Sequence, residues 1–214
     1  MRLFRLLERK LQSKGHGVHS PFAFEVITNV LNSPYSYYVF TEIPEQSYFN
    51  RLSFRLVNYF KAESILEINP GNELNSRFIY AASSKIKCES VKLDFHRNES
   101  KLLELLGDSN ESILGYEILE KFNERKFDAI FINLQECSNE WFVKSETCKK
   151  SLLESLIKLS HENSFWVINP INTKQTKQFW RAIVNDKRIS VTFDIKDTGV
   201  VFLRFMYYKQ HYYI

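Results

Sequence analysis

Glycine, proline and cysteine are scarce in this sequence, which holds 6 Gly, 5 Pro and 3 Cys among 214 residues. So little Gly and Pro excludes collagen-like and linker-rich chains. The cysteines (Cys88, Cys137 and Cys148) are odd in number and widely spaced, so they form neither a Cys-x-x-Cys pair nor a disulfide framework. We therefore expect a reducing, cytoplasmic environment.

Long apolar runs are also missing: no apolar stretch approaches the roughly 18 residues that a membrane-spanning helix needs. We therefore expect no transmembrane segment. Aromatic residues are abundant instead, with 18 Phe, 11 Tyr and 3 Trp, and this much apolar surface excludes disorder as the main state. Residues 1–20 carry a net charge of +4 and residues 170–214 a net +5, around an acidic middle. We expect solvated helix faces; the alternative is an anionic partner, such as a membrane surface for the first helix.

The first part of the chain, residues 1–61, has helical periodicity. Leucines at helical spacing predict an amphipathic helix over 2–13, and Ser20 followed by proline predicts the capped start of a second helix. Residues 32–46 are predicted to be a loop, and 47–61 a further helix. We expect residues 1–61 to form a helical N-terminal extension that acts as a lid.

The second part, residues 62–214, alternates short apolar strands with amphipathic helices. The predicted strands are 64–68, 89–94, 111–116, 127–133, 164–169, 189–195 and 200–206. The predicted helices are 73–84, 97–107, 117–124, 145–161 and 173–186. Such alternation predicts a parallel sheet covered on both faces, and the turn at Lys196 to Gly199 predicts a closing hairpin. The fold class is therefore α/β: a Rossmann-like, mostly parallel, seven-stranded sheet with a C-terminal antiparallel hairpin.

Ligands of such sheets bind at the carboxyl ends of the strands, so the residues that follow each strand are the candidates for a site. Asn69-Pro70-Gly71-Asn72-Glu73 follows the first strand and Asp94 ends the second. Asn133 ends the strand at 127–133, and Asn169 ends the next one. These loops are the candidate binding site.

At these loops the sequence resembles the class I S-adenosylmethionine-dependent methyltransferases. Ile65-Leu66-Glu67-Ile68, followed by a loop and a helix, is similar to the first motif of that family, where Glu-Leu-Gly-x-x-x-Gly is usual. The segment Gly15-His16-Gly17-Val18-His19-Ser20-Pro21-Phe22 is similar to the opening of a small bacterial group within the superfamily. The resemblance covers nearly the whole chain and implies methyl transfer from S-adenosylmethionine, most simply to a small molecule.

The resemblance also implies which residues bind the cofactor: Asn69, Gly71, Glu73, Asp94 and Asn133. Asp94 matches the acidic residue that binds the two ribose hydroxyls, a task that suits a carboxylate because it accepts two charge-assisted hydrogen bonds. No catalytic residue is assigned by this resemblance.

The departures from the family pattern are informative. Asn69 and Glu73 stand where glycines are usual, and Asn133 and Asn169 stand where aspartates are common and, in metal-dependent members, bind the cation. Amides bind hard cations more weakly than carboxylates, so we expect no metal. The four changes together predict a partly eroded cofactor pocket. The alternative is a non-catalytic binding or scaffolding protein, a homodimer joined through the helical extension.

Other polar residues have simpler structural explanations. His16 and His19 flank Gly17 before the capped helix, where we expect them to fix a loop; the alternative is a part of the lid over the pocket. His96, Glu136 and Cys137 are expected to be ordinary loop residues. Tyrosines crowd residues 35–48 and 207–213, which favours packing or a protein interface, so we expect no nucleic-acid partner.

Overall fold

The structure of the chain is a computed structural model. The residues it describes are 2–33, 37–42, 47–71, 73–92, 122, 125–135, 146–204 and 207–214. The predicted elements at 97–107 and 111–116 lie outside these residues, as do most of 117–124 and all of Asp94.

Within the described residues, the elements follow the predicted alternation. The helices are α1 (Arg2–Gln12), α2 (Pro21–Val26) with a π-helical turn (Ile27–Leu31), α3 (Val39–Glu42), α4 (Tyr48–Phe60), α5 (Leu74–Ala82), α6 (Glu146–Lys158) and α7 (Lys177–Asn185). The strands are β1 (Ser64–Ile68), β2 (Lys87–Val91), β3 (Phe127–Asn133), β4 (Ser160–Asn169), β5 (Val191–Ile195), β6 (Thr198–Phe202) and β7 (Gln210–Tyr213).

Helix boundaries follow local capping signals. The Ser20 hydroxyl accepts a hydrogen bond from the backbone N–H of Ala23 (3.2 Å), and Pro21 occupies the first turn of α2. Ser47 and Asn50 form a reciprocal capping box at the start of α4, which ends at the left-handed residue Lys61. The predicted loop over 32–46 is only partly correct, because it includes the short helix α3.

The seven strands form one sheet in the order β2-β1-β3-β4-β6-β5-β7. All neighbouring pairs are parallel except the two that involve β6, which is antiparallel to β4 and to β5. This confirms the predicted α/β class and the mostly parallel sheet with its hairpin. The edge strand β7, which pairs in parallel with β5, was not predicted as a strand.

The closing hairpin is tighter than its sequence predicts. Ile195 pairs with Thr198, which leaves only Lys196 and Asp197 in the turn, with Lys196 at φ 57°. Gly199 belongs to β6, and a Cβ atom there would lie 2.5 Å from the Trp180 ring. Glycine is therefore required at 199 because α7 packs directly on the strand.

Helices cover both faces of the sheet. Leu156 of α6 and Phe179 of α7 are buried in one cluster with Trp166 of β4. Val26 of α2 and Leu56 of α4 are buried in the cluster on the other face. Helices of the predicted extension thus pack on the sheet, while its boundary at residue 61 and its role as a lid stay predictions. None of the helices in the described ranges is long and apolar enough to cross a bilayer.

A carboxylate joins three strands at the amino end of the sheet. Asp128 of β3 accepts hydrogen bonds from the backbone N–H groups of Glu63 (2.9 Å) and Ser64 (2.8 Å), at the start of β1. Its other oxygen lies 3.0 Å from Nε2 of His161 in β4. Nδ1 of His161 accepts a hydrogen bond from the N–H of Asn163, so Nε2 carries the proton and donates to Asp128. Burial raises the pKa of Asp128, but these donors outweigh it and hold the pKa below its usual value.

Replacing Asp128 by Asn removes the charge that these donors stabilise. We expect D128N to lower the free energy of unfolding at neutral pH by about 1 kcal/mol, a modest value because the carboxylate is partly exposed. Because the folded-state pKa is depressed, the stabilisation exists above the unfolded pKa and is lost as the pH falls through the folded pKa. The gap between wild type and D128N in urea denaturation should therefore close in acid, whereas the exposed control E162Q should match wild type throughout. A gap that persists in acid contradicts the charge-based explanation.

Candidate functional site

The candidate site lies where β1, β3 and β4 end. These strands are neighbours and parallel, with Ile68 paired to Ile132 and Asn133 paired to Asn169, so their carboxyl ends share one edge of the sheet. The loop 69–73 leaves this edge and leads into α5. Such an edge is the usual ligand-binding position of a parallel α/β sheet.

Three residues of the loop 69–73 have left-handed backbone conformations. The φ angles are 55° at Asn69, 68° at Gly71 and 60° at Glu73. Asn tolerates this region and Gly favours it, but Glu rarely adopts it. The two positions at which the family pattern has glycine thus have the backbone conformation that suits glycine, although this chain has side chains there.

Asn69 fixes the beginning of the loop. It is buried, its backbone N–H donates to the carbonyl of Val91 in β2 (2.8 Å), and its Nδ2 donates to the carbonyl of Asn133 in β3 (3.3 Å). An aspartate could not donate the second bond. Asn69 therefore joins the ends of three adjacent strands, through its backbone to β2 and through its side chain to β3.

Gly71 and Asn133 face each other across the edge. A Cβ atom on Gly71 would lie 3.4 Å from Nδ2 of Asn133. Oδ1 of Asn133 accepts a hydrogen bond from the backbone N–H of Gln135 (2.9 Å), which holds the amide in place. The structure therefore brings together three of the predicted cofactor residues, Asn69, Gly71 and Asn133, while Asp94 lies outside the described residues.

Glu73 lies at the N-cap position of α5 and its side chain is exposed. The side chain forms no capping hydrogen bond. Its negative charge beside a helix N-terminus is favourable, because the helix dipole is positive there. Glu73 therefore adds an anionic group to the end of the loop without contributing a hydrogen bond to the helix.

A buried carboxylate that the sequence analysis did not single out supports this loop. Oε1 of Glu67, in β1, accepts a hydrogen bond from Nδ2 of Asn75 (2.8 Å), and Oε2 accepts one from the hydroxyl of Ser76. Nδ2 of Asn50 in α4 donates to Asn75 (3.4 Å), so the network reaches the capping box of α4. The sequence feature that could have indicated this role is the position of Glu67, a charged residue within the mostly apolar strand Ser64–Ile68.

Cys88 of β2 contacts the same carboxylate. Its Sγ lies 3.6 Å from Oε2 of Glu67. Burial, reinforced by the charge and hydrogen bond of Glu67, raises the pKa of the Cys88 thiol far above its usual value. Cys88 therefore stays a protonated thiol and cannot serve as a nucleophile at neutral pH.

Asn169 has a structural role in the described contacts. Its Nδ2 donates to the carbonyl of Asp197 (3.1 Å) and to Oγ1 of Thr198 (3.0 Å), which ties β4 to the hairpin. Its carbonyl accepts the N–H of Leu134 (2.6 Å). The amide at 169 thus donates two bonds that an aspartate could not donate.

The remaining candidates do not add to this site. His16 and His19 are exposed in the connection between α1 and α2, and His96, Glu136 and Cys137 lie outside the described residues. Among the residues that the structure describes, no three His, Cys, Asp or Glu side chains are grouped to hold a metal ion. The absence of a metal stays a prediction.

Comparisons with known proteins found similarity among solved structures. No protein-family model and no curated protein matches the chain. The chain is similar to a crystal structure from Staphylococcus aureus described as a caffeoyl-CoA O-methyltransferase, with 15% identity, a TM-score of 0.50, and coverage of 92% of this chain and 98% of that one.

The chain is also similar to a crystal structure from Klebsiella pneumoniae described as an O-methyltransferase, with 13% identity, a TM-score of 0.49, and coverage of 94% of this chain and 99% of that one. A third structure is an O-methyltransferase from Bacillus cereus in complex with SAH, with 14% identity, a TM-score of 0.48, and coverage of 74% of this chain and 82% of that one. The likeness to the Staphylococcus structure is one of fold. The chain has the class I S-adenosylmethionine-dependent methyltransferase fold, which confirms the predicted resemblance at that level. The similarity of residues 15–22 to a bacterial group stays a prediction.

The left-handed conformation of Glu73 predicts a stabilising substitution. A side chain in this region costs about 1–2 kcal/mol, so E73G should raise the free energy of unfolding by about 1 kcal/mol despite the loss of a favourable charge at the helix. The matched control is K61G, since Lys61 has φ 55° at the end of α4, away from the loop. Both variants should be stabilised in urea denaturation. A less stable E73G beside a more stable K61G contradicts the strained conformation of Glu73.

Proposed function

We propose that the chain is a methyltransferase-like protein that binds S-adenosylmethionine at the ends of β1 and β3, in a partly eroded pocket. The observation that carries the proposal is the left-handed path at Asn69, Gly71 and Glu73, which keeps a backbone suited to glycine in a methyltransferase fold. Gly71 offers its bare backbone to the ligand, and Asn133 faces it. By resemblance, Asp94 binds the ribose hydroxyls.

The erosion consists of changes in charge and bulk. Glu73 places a carboxylate at the end of the loop, where it repels the carboxylate of the cofactor. Asn133 and Asn169 are uncharged, and both amides take part in hydrogen bonds within the protein. These features support weaker cofactor binding than an intact glycine motif provides.

Methyl transfer is the reaction that this site supports if the protein is active. Bound S-adenosylmethionine supplies an electrophilic methyl group on a sulfonium, which passes to the nucleophile of an acceptor while S-adenosylhomocysteine leaves. The reaction depends mainly on alignment, so it requires no strong base among the residues of this edge. We propose a small molecule as the acceptor and no metal ion.

Calorimetric titration with S-adenosylmethionine and S-adenosylhomocysteine tests this function. We expect weak binding by wild type and tighter binding by E73G, with a gain of about 1–3 kcal/mol, because the variant removes the repelling carboxylate. Changing Asp94 to Ala in the E73G background should abolish binding, since it removes the ribose anchor.

The K61G variant separates stabilisation from binding. It should match wild type in affinity, although its stability changes like that of E73G. Equal affinities of folded wild type and E73G contradict the obstruction by Glu73. Absence of binding to all variants at millimolar ligand contradicts the cofactor site and favours a non-catalytic protein.

A second candidate, a scaffolding protein that forms a homodimer, is favoured by the orientation of α1. The helix contacts the sheet through polar atoms: Arg9 donates to Asp194 and to a main-chain oxygen of Ile214 (both 2.8 Å), and Gln12 accepts the N–H of Tyr213 (2.7 Å). Three of its leucines are exposed, with exposed fractions of 61% at Leu6, 55% at Leu7 and 53% at Leu11. An outward leucine face is suited to a second copy of the same helix.

Sedimentation analysis of wild type and L7S/L11S tests this alternative. The wild type should be a dimer and the double variant a monomer, because serine removes the apolar contact. The control Y208S changes another exposed apolar residue, 91% accessible, and should remain dimeric. A monomeric wild type contradicts the dimer, and a monomer that binds anionic vesicles supports the membrane interpretation instead.

A further inference from the structure

A cleft lies between α1 and α7, beside the edge strands β5 and β7. We call it the α1–α7 cleft; its volume is about 630 Å³. Arg5 and Arg9 enter it from α1, Lys177 and Arg181 from α7, and Lys196 from the hairpin turn. Its volume lies within the range of small-molecule sites.

Among the described residues that line the cleft, the cations outnumber the carboxylates. Asp194 is the one carboxylate in this described lining, and it is paired with Arg9 at 2.8 Å. Asp197, next to Lys196 in the chain, accepts a hydrogen bond from Asn172. In the parts of the chain that the structure describes, the side chains of Lys177, Arg181 and Lys196 form no ion pair. Cations gathered in this way repel one another unless an anion lies between them.

The wall of the cleft is aromatic and neutral. The ring of His211 lies 6.1 Å from that of Trp180 and 4.7 Å from that of Tyr213, and the Arg5 guanidinium lies 5.6 Å from the Tyr213 ring. Nδ1 of His211 is 2.7 Å from Oγ1 of Thr192. Burial lowers the pKa of His211 against the opposing charge of Asp194, so the imidazole is neutral at pH 7. The charge of the cleft therefore comes from its Arg and Lys residues.

The cleft is separate from the proposed cofactor site. Strands β4 and β6 lie between β3 and β5, so the carboxyl ends of β3 and β5 are roughly 14 Å apart across the sheet. The cleft residues belong to α1, α7, the hairpin, β7 and the segment 171–172 after β4, and none of them is Asn69, Gly71 or Asn133.

We propose that the α1–α7 cleft binds a small molecule through a diphosphate or triphosphate group. Such a group carries several charges in a small volume, and its oxygens match both the forked donors of arginine and the point charges of lysine. The cations converge from three elements on one cavity, which suits a compact polyanion. A nucleic-acid strand instead requires an open groove with exposed stacking rings, whereas Trp180 is buried.

Titration of the full chain with inorganic pyrophosphate tests the proposal. Wild type should bind pyrophosphate more tightly than inorganic phosphate. K177Q and R181Q should each weaken pyrophosphate binding about tenfold, because each removes one charge-assisted contact. The matched control K187Q removes a charge from an exposed residue outside the cleft lining and should leave affinity unchanged.

The remaining outcomes overturn the proposal. Two of them are absence of pyrophosphate binding at low ionic strength and equal pyrophosphate affinities of wild type and R181Q. A third is a loss of affinity in K187Q as large as that in R181Q, which indicates non-specific electrostatic attraction. Displacement of pyrophosphate by excess S-adenosylhomocysteine places the anion in the cofactor site and overturns a separate cleft. Displacement by a short single-stranded oligonucleotide that binds more tightly overturns the small-molecule assignment. Failure of the cofactor titration leaves this experiment unaffected, since pyrophosphate contains no adenosine.

Discussion

The proposed cofactor site depends on the hydrogen bonds of the buried Glu67 carboxylate. It accepts hydrogen bonds from Asn75 and Ser76, the second and third residues of α5, and so holds the start of that helix against β1. The loop 69–73 spans the short distance between these two fixed points. A chain constrained at both ends has few backbone paths, and this one requires positive φ at Glu73. The strain at that residue thus follows from contacts elsewhere.

The same constraint explains how the loop path can persist without glycine at positions 69 and 73. The strands and the Glu67 network determine the loop path, so glycine can be replaced at a local energetic cost without a change of topology. Asn69, Asn133 and Asn169 show what replaced the expected groups: their amides donate to carbonyls or hold neighbouring backbone. At these three positions the edge carries neutral amides that form hydrogen bonds within the protein.

The N-terminal helix α1 contacts the rest of the protein through its polar side and exposes leucines to solvent. Its polar side, with Arg9 and Gln12, binds the C-terminal edge of the sheet, and this arrangement has two consequences. It brings Arg5 and Arg9 opposite the cations of α7, which creates the α1–α7 cleft. It also leaves three leucines facing outward. Amphipathic spacing predicted the helix correctly, but spacing alone does not indicate which side of a helix contacts the protein.

The sequence by itself determined the fold class, the helix cap at Ser20 and the candidate loops, because apolar periodicity and capping are local properties. It also located Asn69, Gly71 and Asn133 at strand ends. Only the tertiary structure decided that Gln210–Tyr213 is an edge strand, that Glu67 and Cys88 share a partly buried contact, and that Arg9 pairs with Asp194. These features join residues far apart in the chain, and neither periodicity nor motif spacing records which distant partners meet.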